Sequence, residues 1–266
     1  NQSTTNTEHV FKDDSDAVVI TTRHDTHAKF VIEALKNNKS VFVEKPLCIS
    51  LDELNEIKKI YFGEKCKKSS PIIMVGFNRR FSPHVKKIRE LLSSTDEKKA
   101  FIMTVNAGFI PKNHWTQDES VGGGRIVGEV CHFIDLLRFL SDSPITAWNK
   151  VCIDNETKDS VSIQLKFKNG SVGVVNYLSN GSIEVSKERL EVFTGNKILQ
   201  LDNFRNLSGY GWSGFSKMNL WHQDKGQVNC VTDFVNSLKK LSVSPIPFEQ
   251  IEEVSRIVIE ISESMK

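Results

Sequence analysis

The residues best suited to chemistry stand directly after a short apolar run near the start of the chain. Glu44 and Lys45 follow Val41-Phe42-Val43, three residues typical of a buried strand, and Pro46 comes next. A carboxylate and an ammonium at the carboxyl end of a strand lie where open α/β sheets bind their ligands. Pro46 restricts the backbone of Lys45, so the direction of the ammonium is set locally. The alternative is an ordinary solvated turn, because most lysines and glutamates lie on protein surfaces.

The elements around this turn form a βαβ pattern that brings further polar residues to the same edge. Apolar residues predict a strand over 16–22 and, at helical spacing, a helix over 28–36, after which the run at 41–43 is the second strand. Two strands joined by a helix run parallel with a right-handed crossover, so their carboxyl ends share one edge of the sheet. We therefore expect four polar residues that follow the first strand to lie beside Glu44 and Lys45. They are Thr21, Thr22, His24 and His27.

The next elements repeat this arrangement and end the parallel part of the chain. Apolar spacing predicts a helix over 51–62 and a third buried strand over 72–75. Asn78 and Arg79 stand just past that strand, and Pro83 opens a further helix. The three strands together predict a Rossmann-type parallel sheet.

The second part of the chain changes to long runs in which apolar and polar residues alternate. These runs cover 101–110, 145–153, 160–167, 171–178 and 183–193. Lys168-Asn169-Gly170 is a hairpin signal between two of them. Alternation of this kind predicts an antiparallel sheet with one covered face. Helical spacing over 128–140, 227–241 and 248–265 supplies helices to cover it.

Together these patterns predict an α/β plus α+β fold with two domains. Residues 1–80 would form an incomplete Rossmann-type, dinucleotide-binding sheet, and residues 81–266 an open antiparallel-sheet domain with helices on one face, for substrate or oligomer contacts. Residues 1–80 contain no G-x-G-x-x-G turn to hold a pyrophosphate. Gly122-Gly123-Gly124 is rich in glycine but lies outside any βαβ unit. We therefore expect the first strands of the dinucleotide-binding sheet to lie outside this sequence.

Composition narrows the class of protein. The chain has 266 residues, 39% of them hydrophobic and 26% charged, which fits globular domains with sizeable cores. Its net charge of +2 gives no support for nucleic acid or an anionic membrane as a partner. No apolar run approaches the roughly 18–20 residues of a membrane span. The five cysteines have no C-x-x-C spacing, which argues against disulfides and a metal site and predicts a reducing, cytoplasmic location.

Four separate motifs, in matching order and spacing, give the chain a family resemblance. They are Ile20–His27, Val43–Pro46, Val75–Phe81, and Gly122–Gly124 followed by His132 and Asp135. Together they resemble the glucose–fructose oxidoreductase/inositol dehydrogenase family over most of the chain. The residues at 22–27 and 128–133 look most like a two-part subgroup, in which such a module follows a zinc-alcohol-dehydrogenase-like module. The resemblance thus implies a covalently linked N-terminal module.

The resemblance implies NAD(P)-dependent hydride transfer between nicotinamide and a carbinol or keto carbon of a sugar, polyol or nucleotide-linked sugar. Lys45 and His132 would be catalytic, because hydride departure from a carbinol carbon requires the hydroxyl proton to be taken at the same time. A neighbouring ammonium also lowers the pKa of an imidazole, which favours a neutral base. NAD or NADP would contact residues at the three strand ends. These cofactor-binding candidates are Thr21, Thr22, His24, His27, Glu44, Lys45 and Asn78.

Three positions depart from the pattern of that family. Gly128 stands where the family has an aspartate four residues before the catalytic histidine, and the carboxylate is Glu129, one place later. One place on a helix is a rotation of about 100°. Glu129 is instead a candidate partner that orients His132, three residues further on. His24 stands where the family commonly has asparagine, and Arg23 where it commonly has proline.

Four further residues are candidates for substrate contact. They are Arg79, Trp115, Arg125 and Glu129. Structural alternatives exist for the main ones: Arg79 and Arg80 as salt bridges at the domain junction, Trp115 as an ordinary buried tryptophan, and His132 as a satisfied core histidine. A second hypothesis for the whole chain is a non-catalytic module for sugar binding or assembly. An apolar open face of the sheet predicts a homodimer, in which a second copy covers that face.

Overall fold

The computed structural model describes residues 3–64, 71–154 and 157–265, which form two sheets flanked by helices. In chain order the first elements are α1 (Thr7–Lys12), β1 (Ala17–Ile20), α2 (His27–Lys36), β2 (Ser40–Val43), α3 (Leu51–Glu64), β3 (Ile73–Val75) and α4 (Pro83–Leu92). The remaining ones are β4 (Ala100–Asn106), α5 (Cys131–Ser141), β5 (Ile145–Cys152), β6 (Val161–Phe167), β7 (Val172–Leu178), β8 (Glu188–Thr194), β9 (Lys197–Asp202), β10 (Asn206–Tyr210), β11 (Lys217–Asn219), α6 (Gln227–Lys239) and α7 (Phe248–Glu263).

The first sheet is parallel and has the order β1-β2-β3. The register places Val18 beside Val41, and Val41 beside Ile73, so the three strands end at one edge. All four residues of β2 are buried, as expected for a central parallel strand. Helix α2 ends at Lys36 with Asn37 as its C-cap, and the next residue, Asn38, adopts a φ of 56°, a left-handed conformation that asparagine tolerates. The predicted βαβ arrangement is confirmed.

The second sheet has eight strands in the order β11-β10-β9-β8-β4-β7-β6-β5. Six of its neighbouring pairs are antiparallel, and the hairpin predicted at residues 168–170 joins β6 to β7. The pair β4–β7 is parallel, so the sheet is mixed and the expectation of a purely antiparallel sheet needs correction. A physical reason is that α5, β5 and β6 all lie between these two strands in the chain, and no tight turn forces them to run in opposite directions.

Sequence patterns missed several short elements of the fold. Strands β9, β10 and β11 and helix α1 were not predicted, because they are short and interrupted by turn residues. The strand expected over 183–193 begins only at Glu188. Despite these differences, the predicted α/β plus α+β fold class is confirmed.

Helices cover the inner face of the mixed sheet and build its core. On β4 the side chains of Phe101, Met103 and Val105 are buried, and the residues between them are only half-buried. Gly173 of β7 lets α5 approach closely, because a Cβ atom there would lie 2.9 Å from Cδ1 of Leu137. Burying a large apolar side chain stabilises the fold by roughly 1.5–3 kcal/mol. This core therefore fixes α5, whose first turn carries His132.

Two consecutive arginines join the first sheet to the second. They lie in the turn Asn78–Phe81, which follows β3. Arg79 donates from Nε and Nη2 to the carboxylate of Glu188, both at 2.8 Å. Arg80 donates from Nε to Asp135 of α5 at 2.7 Å, and its Nη2 bonds the second oxygen of that carboxylate. Both carboxylate side chains are fully buried, so the two sheets are held in a fixed relation at this turn.

Within the described ranges, no helix combines the length and the apolar composition that crossing a bilayer requires.

Candidate active site

The loops that follow β1 and β2 lie side by side at the edge of the parallel sheet. The N–H of Glu44 donates to the carbonyl oxygen of Ile20 at 2.9 Å. His27 is fully buried between the loops: its Nδ1 lies 2.7 Å from the carbonyl oxygen of Pro46, and its Nε2 lies 3.1 Å from that of Thr22. The peptide bond between Lys45 and Pro46 is cis. His27 thus ties the loop that carries Thr21 and Thr22 to the turn that carries Lys45.

Lys45 reaches from the first sheet to the helix of the second. Its Nζ donates a hydrogen bond of 2.8 Å to the carbonyl oxygen of Gly128. Gly128 belongs to a π-helical turn, Ile126–Val130, which leads directly into α5. His132 follows four residues later, about one helical turn along the axis. The structure therefore brings Lys45, from the end of β2, to the helical turn that precedes His132 in α5.

His132 lines a cavity of about 330 Å³ between the ends of the parallel strands and the helices α5 and α6. Its wall includes Glu44 from the end of β2, Asn78 and Arg79 from the turn after β3, and Lys225 from the loop before α6. Lys45 lies beside this cavity, on the side of Gly128, and is not part of its wall. A volume near 300 Å³ is at the small end of the range for ligand sites, which suits a molecule of monosaccharide size.

His132 is a neutral imidazole in this setting. The ring is 8% exposed, and its Nδ1 has no hydrogen-bond partner among the described residues. Burial, and then the charges of Arg79, Lys45 and Lys225, lower the pKa of His132 well below 6.5. A neutral ring of this kind has a lone pair with which it can accept a proton. The structural alternative for His132 was a core histidine with all of its hydrogen bonds made. Because one ring nitrogen lacks a partner, His132 does not fit that alternative.

Glu129 does not orient His132, contrary to the expectation from their spacing. Its carboxylate accepts hydrogen bonds from Arg125 Nη2 at 3.4 Å and from Lys187 Nζ at 3.3 Å. Burial alone would raise the pKa of Glu129, but the charges of Lys187 and Arg125 outweigh it and lower the pKa. The carboxylate is turned towards these cations because they compensate its desolvation better than a neutral ring does.

Arg125 lies inside the second half of the chain, away from the cavity of His132. It is 2% exposed, and its Nη1 donates to the carbonyl oxygen of Gly108 at 2.7 Å and to Asp159 at 3.2 Å. The guanidinium also sits 5.1 Å from the ring centre of Tyr177. These contacts hold the end of β4 in place, and the role of Arg125 in substrate contact stays a prediction.

The other two substrate candidates also have protein partners. The guanidinium of Arg79 is in the cavity wall, but Nε and Nη2 are bound to Glu188, so the junction salt bridge expected as its alternative is present. Trp115 is half-buried and meets the ring of His24 edge-on, with centroids 4.9 Å apart. His24 in turn places Nδ1 2.7 Å from the carbonyl oxygen of Gly122. Trp115 therefore packs against a predicted cofactor-binding residue.

Sequence patterns gave no hint of Lys225 and Glu188 as part of the site. Nζ of Lys225 donates to Glu188 at 2.6 Å, so one buried carboxylate is shared by Lys225 and Arg79. The loop is held in place because Asn78 donates from Nδ2 to the carbonyl oxygen of Lys225 at 2.8 Å. The one available signal was Gly226, which adopts a φ of 84° and fits tightly against the turn after β3. A single glycine before a helix is too common a feature to mark a site.

Models of one protein family match both parts of the chain. Residues 1–77 match the model described as "Oxidoreductase family, NAD-binding Rossmann fold", and residues 97–196 match the "GFO/IDH/MocA C-terminal domain". The chain belongs to the GFO/IDH/MocA oxidoreductase family. This confirms the resemblance drawn from the four motifs, and with it a nicotinamide dinucleotide as the cofactor class.

Curated relatives of the family include several inositol dehydrogenases. Over 198 residues, the chain is 28% identical to the myo-inositol 2-dehydrogenase of Thermotoga maritima, which corresponds to 71% of this chain and 57% of that protein. It is 33% identical over 144 residues to the scyllo-inositol 2-dehydrogenase (NAD(+)) of Bacillus subtilis, covering 50% of this chain and 37% of that protein. The chain therefore spans little more than half the length of the curated relatives that it matches.

Solved structures of the GFO/IDH/MocA type share the fold. The chain aligns with levoglucosan dehydrogenase in complex with NADH and levoglucosan at a TM-score of 0.84 and 21% identity, over 98% of this chain and 82% of that one. It aligns with an oxidoreductase domain protein from Kribbella flavida at a TM-score of 0.81 and 20% identity, over 98% and 81% of the two chains. At these identities the likeness establishes the architecture of both sheets.

Proposed function

We propose that the complete protein, meaning this chain with any sequence that flanks it, is an NAD(P)-dependent oxidoreductase. It transfers hydride between nicotinamide and a carbinol or keto carbon of a sugar, polyol or nucleotide-linked sugar. The observation that carries this proposal is the convergence of Lys45 and His132. Nζ of Lys45 donates a hydrogen bond of 2.8 Å to the carbonyl oxygen of Gly128. His132 follows one helical turn later and lines the cavity of about 330 Å³. The substrates named for the inositol dehydrogenases support the same substrate class.

The residues around the cavity fit the nicotinamide end of such a cofactor. His132 Nδ1 is buried without a partner, and Glu44 and Asn78 face the same space. Thr22 and His27 stand at the neighbouring strand end, tied to the Lys45–Pro46 turn. These residues, with Thr21, His24 and Lys45, would hold the nicotinamide and its ribose. No residue of this chain is assigned to the diphosphate, because no G-x-G-x-x-G turn follows β1, β2 or β3; the one such pattern in the sequence, at residues 209–214, lies between β10 and β11 of the mixed sheet.

Bound nicotinamide supplies the hydride acceptor or donor, and the side chains of this chain manage the proton. In the oxidising direction His132 accepts the hydroxyl proton of the substrate at a ring nitrogen, which its lowered pKa keeps free at neutral pH. The ammonium of Lys45 donates to the same substrate oxygen and stabilises the negative charge that develops there. In the reducing direction the imidazolium returns the proton as the carbonyl oxygen gains electron density.

The cavity favours a substrate that is rich in hydroxyl groups. Its wall contains a carboxylate acceptor, Glu44, and donors on Asn78, Arg79 and Lys225. The positive charges of Arg79 and Lys225 are partly balanced by the carboxylate that they share, Glu188. Mixed donors and acceptors without a strong excess of one charge are what several neutral hydroxyl groups require.

Turnover of the complete protein tests the proposal. The rate of NADH and NADPH formation is measured with a panel of inositols, hexoses and nucleotide-linked sugars, for the wild type and for Lys45→Ala. We expect the substitution to reduce kcat by about 10²–10⁴-fold. Lys166→Ala, an exposed lysine on β6, is the matched control and should retain full activity. Undiminished turnover by Lys45→Ala would defeat the assignment.

Cofactor titration separates the enzyme from the alternative, a non-catalytic module for sugar binding or assembly. NADH and NADPH are titrated into the complete protein, and binding is followed by cofactor fluorescence. Binding of either one supports the oxidoreductase and also shows which cofactor is preferred. If neither binds and no substrate turns over, the alternative becomes the better account.

Three broader proposals accompany the activity. The division at residue 80 into a dinucleotide-binding and a substrate domain is supported by the turn Asn78–Phe81, which follows the last parallel strand. A homodimer is supported by the open face of the mixed sheet, where Ile102, Val174 and Leu178 are half-buried; a monomer by light scattering would contradict it.

A cytoplasmic location is supported by the described cysteines, which are free thiols, and Cys66 lies outside the described residues.

A further inference from the structure

The imidazole of His24 occupies the space that a side chain at residue 128 would need. A Cβ atom on Gly128 would lie 3.0 Å from Cε1 of His24 and 3.4 Å from its Nδ1. The next neighbour, the carbonyl oxygen of Gly122, would be 3.6 Å away, which is an ordinary van der Waals distance. The imidazole of His24, from the loop after β1, therefore lies against Gly128 of the π-helical turn before α5.

His24 has little freedom to move away from this contact. Its Nδ1 lies 2.7 Å from the carbonyl oxygen of Gly122, and its ring meets Trp115 edge-on at 4.9 Å. The N–H of Asp25 donates to the carbonyl oxygen of Val121 at 3.1 Å, so the backbone is fixed to the same loop. The side chain is 7% exposed. A small rotation therefore cannot relieve a clash at residue 128.

Gly128 is also the residue that holds Lys45. Its carbonyl oxygen accepts the 2.8 Å hydrogen bond from Nζ, and the residue lies in the π-helical turn Ile126–Val130. Turns of this kind are rare and frequently occur at functional sites. Any shift of this turn moves the oxygen to which the Lys45 ammonium is bound.

We propose that His24 is a positioning residue, which packs against Gly128, fixes the π-helical turn and thereby places the Lys45 ammonium. This goes beyond contact with the cofactor, and its importance for catalysis rests on the function proposed above. Gly128 and His24 then form one feature of the site. The imidazole of His24 fills the space beside Gly128, and it can do so only because residue 128 has no side chain.

The charge state of His24 agrees with this role. Burial lowers its pKa to about 4, although the contact with Gly122 acts in the opposite direction, and the charge of Lys45 lowers it further. The ring is thus neutral at pH 7, and it supports the π-helical turn without placing a second cation beside Lys45.

A cycle of substitutions in the complete protein tests the contact through thermal stability. With His24 in place, Gly128→Ala is expected to lower Tm by about 4 °C, because the new Cβ overpacks a held ring. In a His24→Ala background the same substitution should raise Tm by about 2 °C, because alanine loses less conformational entropy than glycine in a helical turn. An equal change of Tm in both backgrounds overturns the proposal. His24→Gln provides a second background if His24→Ala does not fold.

The position of Lys45 is followed by its reactivity. Acetylation by acetic anhydride is measured by mass spectrometry, with exposed Lys166 as the internal reference. His24→Ala should increase the relative rate at Lys45 by about two- to tenfold, as loss of one hydrogen bond implies. His9→Ala, an exposed histidine of α1, is the control and should leave the rate unchanged. Unchanged labelling of Lys45 in His24→Ala overturns the proposal.

Kinetics link the contact to the proposed reaction. His24→Ala should lower kcat by about tenfold and leave KM for the sugar substrate within about twofold, because misplacement of Lys45 acts mainly on the chemical step. A fall in substrate affinity with unchanged kcat would contradict a positioning role. If the complete protein has no turnover at all, the proposed function fails, yet Tm and labelling still decide whether His24 positions Lys45.

Discussion

The two sides of the candidate site are held together by different kinds of interaction. At the strand ends the contacts involve main-chain groups: Glu44 N–H bonds Ile20 O, and Gly76 N–H bonds Val43 O at 2.8 Å. At the helix α5 and strand β8, the contacts are buried ion pairs, made by Arg79 and Arg80 with carboxylates on those elements.

The two kinds of contact differ in how strongly they depend on individual side chains. Main-chain contacts follow from the order of parallel strands, so they tolerate many side-chain changes. A buried ion pair has a different energy balance, because desolvation offsets much of its attraction and a missing partner leaves an uncompensated charge. Substitutions on the strand-end side should therefore lower the free energy of unfolding only a little, and substitutions on the ion-paired side should lower it strongly.

The largest effect is expected from Glu188→Gln, which removes the charge shared by Arg79 and Lys225. Two cations would then lie beside a cavity without a buried counter-ion, and the free energy of unfolding should fall by about 3–5 kcal/mol. Urea unfolding followed by circular dichroism measures this change. The matched control is Glu191→Gln on the same strand, where the partner Arg189 is exposed, and it should cost less than about 1 kcal/mol. Equal losses for the two variants would refute the distinction between the two sides.

The next effect concerns the loop that carries Lys225. Gly226→Ala should destabilise the protein by about 3 kcal/mol, because the new Cβ would lie 2.4 Å from the backbone nitrogen of Ser82 at a φ of 84°. Gly214→Ala is the matched control, since its φ is 77° but open space surrounds the Cβ position. It should cost only about 1 kcal/mol. If thermal and urea unfolding show the same cost at both glycines, the tight fit of the loop against the turn after β3 is not important.

A smaller effect on stability, which involves one histidine on each side of the site, is expected when the pH is lowered. His24 and His132 are buried and neutral: burial lowers the pKa of His24 to about 4 and, with the charge of Arg79, that of His132 well below 6.5. Below pH 6.5 the unfolded chain binds protons at these positions and the folded protein does not, so stability falls as pH decreases. His24, whose pKa in the folded protein is about 4, should account for about 2 kcal/mol of the loss between pH 6.5 and 5, and His132 should add a loss in the same direction.

Variants assign this loss of stability to particular histidines. Urea unfolding at pH 7.5 and pH 5.0 should show that His24→Asn reduces the loss by about 2 kcal/mol and that His132→Asn also reduces it. His9→Asn, on the exposed helix α1, should not change it. A loss in both variants as large as in the wild type would mean that neither ring is held neutral by the fold.

The strand-end side of the site could be predicted from the sequence. The runs at 16–22 and 41–43 fixed two parallel strands, and parallel strands bring their carboxyl ends together whatever the rest of the chain does. Lys45, His24 and His27 were placed at that edge for this reason. The site roles given to them stay predictions, because no ligand contact tests them.

On the ion-paired side, the sequence offered Arg79 and Arg80 as salt bridges at the domain junction, but their partners could not be predicted, because they are distant in the chain. Arg79 and Glu188 are 109 residues apart, and Arg80 and Asp135 are 55 apart. No periodicity links such residues. Helical spacing placed Glu129 near His132, but the competition of Arg125 and Lys187 for its carboxylate decided its direction. The parallel pair β4–β7 was missed for a similar reason, since it joins strands separated by a helix and two further strands.

In the proposed reaction Lys45 and His132, from opposite sides of the site, act as one unit on one substrate oxygen. The most direct test is a double-mutant cycle of kcat in the complete protein, with Lys45→Ala, His132→Ala and the double variant, each checked for an unchanged Tm. Each single substitution should lower kcat by about 10²–10⁴-fold, and the double variant should be at most about tenfold slower than the poorer single one. Losses that multiply in the double variant, or a single variant with wild-type kcat, would contradict the claim.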